Sequence, residues 1–595
     1  MCVTIFAIQL YAYMHIVDRT VGSFPLSKRL NWMGGEELPT KVAVLRSAFS
    51  SIRSGDHPEY YFDLATYWEH QLKSEAIEYQ IINDQELAKG LDRSVNVLIL
   101  PWAVCMSDEQ RQAVREFVGR GNGVIASGAT GARNADCSWR GWDFTTEITG
   151  VEDFQSVSPP PDTFVAFRGG QYYSGGLPPG LRLDLPTQEI TYGFHERPDA
   201  YWSDAKVMPI DGGAPGGVAL ATHGEWGAGR VVWLGFNERM IGTKNGQLPR
   251  FRDSFTRSAI RWVSRQPLIM LEPWPKRSPS AVVVTADTGR DPRVATSVAR
   301  MLESEYVPGT LFVAPGGSPR EKTSLEVAAT GDADDPFTVR NVLNQSQALT
   351  DAKTALEAGN RAWVTGFKPP QDVWSLDTLV ALRTAGYRYM LDRTGNHRTV
   401  PELIEFPATT WFGSKVEVAK IPSHWSDDLD AVANYKGPTP WGEDLGDQFV
   451  KEYEVSRYLG GSYVLSISAP LLAKQENLHL TQSVLRRIKQ NPVWLTTASD
   501  MTSWWSRRER VGAEAILVHQ HRLRVSVVNR GRQALDDLTV HLHLPYRPNS
   551  IRLISEFIGK TTPASELLPN EDVLLLRFPR VEKESSHVFL VALDD

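Results

Sequence analysis

The chain has 595 residues, of which 42% are hydrophobic and 22% charged, with a formal net charge of -7. That length predicts about three or four domains, and the composition is that of a globular protein. A net negative chain with no Lys/Arg run lacks the basic face that phosphate recognition demands, which excludes nucleic acid as the expected partner.

Residues 3–17 (VTIFAIQLYAYMHIV) are apolar but fall short of the roughly 20 residues that cross a bilayer, and no basic residue precedes them as in a signal peptide. Two readings stand side by side. One is the tail of a signal-anchor that begins upstream, giving membrane contact through residues 3–17; the other is a buried or interfacial terminal helix. Residues 1–40 are taken as this segment and a linker, a candidate membrane anchor.

From Lys41 the pattern alternates strand and helix. Val42 to Leu45, Tyr79 to Ile82, Val95 to Leu100 and Val124 to Ala126 read as strands, and Tyr60 to Leu72 as a helix. A further helix opens at Ser107 with Gln110 three residues on, a capping-box spacing, and carries Ala113, Val114, Phe117 and Val118 along one face. A hairpin of Val218 to Thr222 and Arg230 to Leu234 follows, then a helix with Phe251, Phe255, Ala259, Trp262 and Val263 on one side. This grammar predicts a doubly wound α/β domain over 41–266.

The run from Leu98 to Gly131, LILPWAVCMSDEQRQAVREFVGRGNGVIASGATG, resembles the class I glutamine amidotransferase-like domains, in the non-catalytic form found as a trimerisation domain of some β-galactosidases. Catalytic members carry a Cys on a G-x-C-x-G elbow, where a sharp turn exposes the nucleophile beside backbone donors. Here that stretch is Ser127-Gly128-Ala129-Thr130-Gly131, without a cysteine, and His195-Glu196 is the one base-and-orienter pair in view. The domain is therefore expected to be structural or ligand-binding. Cys2, Cys105 and Cys137 form no C-x-x-C pair or disulfide framework and are read as unpaired buried thiols.

Pro267, Pro273, Pro275 and Pro279 fall too densely for a regular element, so residues 267–279 are taken as a linker. Ser280 to Asp291 (SAVVVTADTGRD) follows, an unbroken β-branched run ending in Thr-x-Asp. It reads as a buried parallel strand delivering Asp287 at its carboxyl end, where barrels place their chemistry. Gly309 to Val313 is the next strand, Asn344 to Glu357 and Ser375 to Ala385 are helices, and Tyr387 to Leu391 returns as strand.

Thr285-Ala286-Asp287-Thr288-Gly289 resembles the T-F-D-D-G motif of the polysaccharide deacetylases, the NodB-homology carbohydrate esterases. The resemblance continues to about Trp505 and implies a distorted (β/α) barrel over 280–509. In that family a divalent metal, held by an Asp and two His, polarises the acyl carbonyl and activates water. A carboxylate accepts the proton, a cation holds that carboxylate, and a His protonates the leaving amine.

By this resemblance Asp287 keeps the base position and Thr288 stands at the ligand beside it. The second motif aligns from Gly331, with Phe337 and Asn341 at the two histidine positions; neither serves as a zinc ligand. Lys368 in G-F-K-P-P replaces the arginine that would hold the base, and Ser468 stands where the leaving-group acid would be. No metal and no cofactor is expected. Asp291, Asp332, Asp334 and Asp335 offer oxygen ligands for a rebuilt hard-cation site, or a solvated loop.

Trp374, Trp411, Trp425 and Trp441, with His424 beside Trp425, are the candidate ligand-binding residues, because loop tryptophans at strand ends can stack on sugar faces. Ordinary packing is the alternative for each, and His397 and His479 are isolated histidines.

After Trp505 the sequence alternates with period 2, as in Leu523-x-Val525-x-Val527 and Leu538-x-Val540-x-Leu542-x-Leu544, with Asn529-Arg530-Gly531 as a turn. Residues 510–595 are expected to form an immunoglobulin-like β-sandwich.

The whole is expected to be an α/β multidomain pseudoenzyme of the cell envelope or periplasm that binds or organises a polysaccharide or an envelope assembly. Its expected partners are a polysaccharide and other envelope proteins, with Asp287 and Lys368 as a vestigial catalytic pair. An active hydrolase with a site rebuilt around Asp287, and a purely structural subunit, are the alternatives.

Overall fold

The computed structural model describes residues 40–52, 59–158, 163–169, 173–174, 177, 179–180, 182–184, 191–195, 205–209, 218–239, 248–331, 337–360, 362–393, 399–405, 417–423, 443–475, 477–519, 521–555, 562–569 and 571–594. Residues 3–17 lie outside these, and among the described residues no helix is long and apolar enough to cross a membrane.

The first sheet is built on Lys41–Leu45, Glu78–Ile82, Val97–Leu100 and Gly123–Ser127, all parallel. Gly229–Leu234 adds parallel to Gly123–Ser127, and the hairpin partner Val218–Trp226 then carries the sheet on in antiparallel fashion. Fully buried parallel strands must be covered on both sides. Helices Glu59–Ser74 and Leu248–Val263 place Trp68, Phe255 and Ala259 against one face, while Asp108–Gly119 places Val114 and Phe117 against the other. The Ser107 capping box forms as the spacing requires, with Ser107 and Gln110 exchanging side-chain-to-backbone bonds.

Cys105 and Cys137 are joined in a disulfide, their Cα atoms 5.1 Å apart, which corrects the reading of both as free thiols. Thirty-two residues separate them in sequence, too far for any local motif to announce the pair. The proximity comes from the Arg133 segment returning beside the Cys105 loop, bridged in parallel at Cys105 and Arg133.

The second sheet runs in the order Glu402–Glu405, Glu417–Pro422, Tyr389–Asp392, Gly366–Lys368, Glu326–Thr330, Gly309–Val313, Ala281–Gly289, Ser462–Ser468. Every neighbouring pair is parallel except the first, and among the described residues the two terminal strands are not joined to each other, so the sheet is an open half-barrel. Trp494–Thr496 pairs with the amino-terminal half of Ala281–Gly289 from the side. Helices Pro292–Ser304, Val342–Asn360, Leu376–Thr384, Glu443–Leu459 and Leu478–Ile488 contribute to the core between sheet and helices. The strands and helices read from the sequence over this region form, and helix Pro292–Ser304 with strands Glu326–Thr330, Gly366–Lys368 and Glu417–Pro422 are added by the structure.

Two four-stranded antiparallel sheets make the third unit. Leu523, Val525 and Val527 of one share a core with Leu538, Val540 and Leu542 of the other. Period-2 alternation puts these side chains on one face of each strand.

The proline-rich stretch expected to hold no regular element instead contributes a strand. Leu268–Leu271 pairs antiparallel with Val540–His543 at the edge of one sandwich sheet. The prolines tolerate this because they flank the strand rather than interrupt its ladder. The same core continues under the barrel through Trp274, Ala281, Val283 and Trp505, so barrel and sandwich are packed as one mass.

Candidate functional site

Asp287 lies two residues before the end of its strand at the carboxyl edge of the half-barrel, and Lys368 ends its own strand three positions away in the sheet. The Lys368 ammonium lies 3.1 Å from Asp287 Oδ2, with Lys368 buried and Asp287 partly open to solvent. The backbone N–H of Gly289 donates to Asp287 Oδ1 at 3.3 Å. Ser468 is the register partner of Asp287 on the adjacent strand, and the N–H of Ala469 donates to the Asp287 carbonyl at 2.8 Å. Three residues picked from separate motifs, Asp287, Lys368 and Ser468, thus share one end of one sheet.

The metal implied by the deacetylase resemblance does not fit the residues present. Thr288 is buried, and its hydroxyl has no hydrogen-bond partner among the described residues. Phe337 is built into the core, its ring 5.6 Å from that of Phe367. Asn341 is exposed and turned to the helix behind it, its side-chain oxygen accepting from Asn344 N at 2.9 Å. A hydroxyl, a packed phenyl ring and a helix-terminal amide do not make a coordination sphere. Among the described residues, no three His, Cys, Asp or Glu side chains converge as metal ligands.

Asp291, one of the oxygen ligands considered for a rebuilt site, caps helix Pro292–Ser304 by accepting from Arg293 N at 2.8 Å. Asp332, Asp334 and Asp335 lie outside the described residues, as do His397, Trp411, His424, Trp425 and Trp441. His479 is exposed on helix Leu478–Ile488.

Trp374 is described, and its surroundings differ from those of a free stacking platform. Its Nε1 donates to Asp392 Oδ1 at 2.9 Å, and the Lys420 ammonium sits 4.9 Å from its ring centroid. Lys420 in turn reaches Asp392 at 3.3 Å and Glu402 at 2.8 Å. Buried Asp392 with partly buried Lys420 and Glu402 forms a charge cluster at the same sheet edge, absent from the motifs. The signal was present: Asp392 closes the apolar run Tyr387 to Leu391 just as Asp287 closes its own.

The elbow of the first domain is closed by its own residues. Ser127 is buried, and its Oγ accepts from the Trp102 N–H at 2.9 Å. Gly128 has φ +63, and a Cβ there would meet the Trp102 indole at 2.6 Å, so the space beyond the turn is already filled by an aromatic ring. Behind it Glu238 is buried and accepts from Trp68 Nε1 at 3.2 Å; burial pushes its carboxyl above the ordinary range. His195 is exposed and 3.0 Å from Gln155, whereas Glu196 lies outside the described residues.

Comparisons with known proteins bear on the fold alone. No family model and no curated protein matches the chain. Solved structures similar to part of it include one assigned as a polysaccharide deacetylase from Mycobacterium smegmatis, 17% identical, covering 40% of this chain and 93% of that one at a TM-score of 0.34. Another, assigned as a polysaccharide deacetylase from Pseudomonas aeruginosa PAO1, is 13% identical over 40% of this chain and 94% of that one, at a TM-score of 0.33. A β-galactosidase from Bacillus circulans sp. alkalophilus is 13% identical over 40% of this chain and 33% of that one, at a TM-score of 0.28. The half-barrel reading itself stands on strand order and register.

Proposed function

We propose that this chain is a pseudoenzyme: a deacetylase-like barrel without deacetylase chemistry, which binds or organises a polysaccharide or an envelope assembly. One observation carries the reading. The Asp287–Lys368 pair stands at the strand ends, while the three ligand positions beside it are a buried threonine, a packed phenylalanine and a helix-terminal asparagine. A carboxylate held by a lysine can accept a proton, but without a Lewis acid and with Ser468 in place of an acid it has neither an activated carbonyl nor a route for the leaving amine.

The amidotransferase-like and immunoglobulin-like readings of the flanking units belong to the same proposal, as assembly or spacing modules. The filled elbow at Trp102 supports the first. An extracytoplasmic location is supported by the Cys105–Cys137 disulfide, since such bonds persist in oxidising compartments.

The test is acetate release from N-acetylated oligosaccharides by the full chain, with and without added zinc, cobalt or nickel, beside calorimetric titration of the same sugars. Binding without turnover is the expected result. Metal-dependent acetate release that disappears in Asp287→Asn would replace this reading with the active hydrolase.

A further inference from the structure

At the opposite end of the half-barrel from Asp287 lies a cavity of about 1030 Å³, walled on one side by the strand starts at Glu326, Tyr389 and Glu417 and on the other by the sandwich turn at Arg530–Gln533. Five arginines line it, at 388, 507, 510, 530 and 532, against three carboxylates at 326, 417 and 500. In a chain of net charge -7 this is a local reversal of sign.

Two of the three carboxylates are already engaged, and the third, Asp500, is exposed. Glu417 is ion-paired with Arg510 and accepts from Ser506. Glu326 is half-buried and receives Tyr389 Oη and Thr310 Oγ1, each at 2.7 Å, and Ser499 N at 3.0 Å. Arg388, Arg530 and Arg532 are exposed and have no ion pair among the described residues. The turn holding two of them is fixed, because Asn529 Oδ1 accepts from Gly531 N at 2.8 Å and Arg530 N donates to the Arg510 carbonyl at 2.9 Å. At the rim Trp363 is 83% exposed.

We infer that this cavity is a binding site for a carboxylate-bearing oligosaccharide, of the uronic-acid class. Guanidinium forks match a carboxylate with two parallel N–H···O bonds, and an exposed indole face stacks on the C–H face of a pyranose ring. Free arginines on both sides of the cavity, Arg388 beside the barrel strands and Arg530 and Arg532 on the sandwich turn, together with an aromatic rim, suit a charged sugar chain better than a lone inorganic anion. The inference does not require the carboxyl-edge site to bind anything.

The experiment titrates the full chain with oligogalacturonate, its methyl-esterified form, and inorganic phosphate. Wild type is expected to bind oligogalacturonate with an affinity that falls as salt rises, and to bind the ester at least about tenfold more weakly, because esterification removes the charge but keeps the ring. Arg530→Glu with Arg532→Glu should lower affinity by about tenfold or more, and Trp363→Ala by several-fold. These positions are exposed, so a circular-dichroism melt matching wild type will separate binding from folding. Equal binding of acid and ester, or phosphate binding as tightly as the oligosaccharide, overturns the inference. So does no binding of oligogalacturonate, an outcome that leaves the pseudoenzyme reading standing.

Discussion

Lys368 and Asp287 are 81 residues apart in sequence and 3.1 Å apart in space, on strands separated by two others in the half-barrel sheet. Lys368 is the buried member, so its charge depends on the carboxylate more than the reverse. Asp287→Ala should therefore destabilise the chain by about 1–3 kcal/mol, and Asp287→Ala combined with Lys368→Met by less than the sum of the single changes. A double-mutant cycle in urea unfolding checks this. Strict additivity would mean the pair is a proximity without coupling.

The chain as purified should hold well under one transition metal, by elemental analysis after dialysis. Installing Thr288→Asp, Phe337→His and Asn341→His supplies the ligand types, but Phe337 packs on Phe367 and Asn341 is tied to its helix. Exchanging a buried phenyl for an imidazole should cost about 2–4 kcal/mol, and the expected product is a less stable chain that still lacks tight metal. About one retained zinc per chain in the triple variant would show that both segments refit around the ion.

Thiol titration of the unfolded, unreduced chain should return one free cysteine, Cys2, and three after reduction. The bond closes a loop over 32 residues, so chain entropy assigns the Cys105→Ser, Cys137→Ser variant a loss of about 3–4 kcal/mol. Three free thiols before reduction would remove the disulfide and, with it, the support for an oxidising compartment.

His543 joins the first unit to the sandwich, accepting from Trp262 Nε1 at 3.0 Å and facing Asp572 at 3.1 Å, with Arg230 also ion-paired to Asp572. Burial holds its imidazole below the ordinary value of 6.5, against the opposing pull of Asp572. Between that depressed value and 6.5 the unfolded chain binds more protons than the folded one, so stability is full above 6.5 and declines as pH falls beneath it. Denaturant midpoints at pH 7.5 and 5.5 should show this loss, and His543→Asn should flatten it. An equally steep fall in the variant would assign the titration to another group.

Many strands and helices were legible in the chain where an element carries a clear period, while short strands such as Glu326–Thr330 and Gly366–Lys368 were not. Val282, Val283 and Val284 announce a buried strand, Ser107 with Gln110 a capped helix, and Leu523, Val525 and Val527 a one-sided strand. Asp287, Lys368 and Ser468 could also be named from motifs, since each closes a strand or follows one, and the parallel register brings those ends together.

What the sequence left undecided is what depends on contacts far apart in the chain. The pairing of Cys105 with Cys137 follows from a loop returning across a sheet end, and the role of Leu268–Leu271 as a sandwich strand from an edge some 270 residues onward. Trp374 reads alike as a stacking face or as packing until Asp392 and Lys420 are seen at its edge and face. Periodicity encodes which side of an element is apolar; only tertiary packing decides what that side, or a polar group at its end, meets.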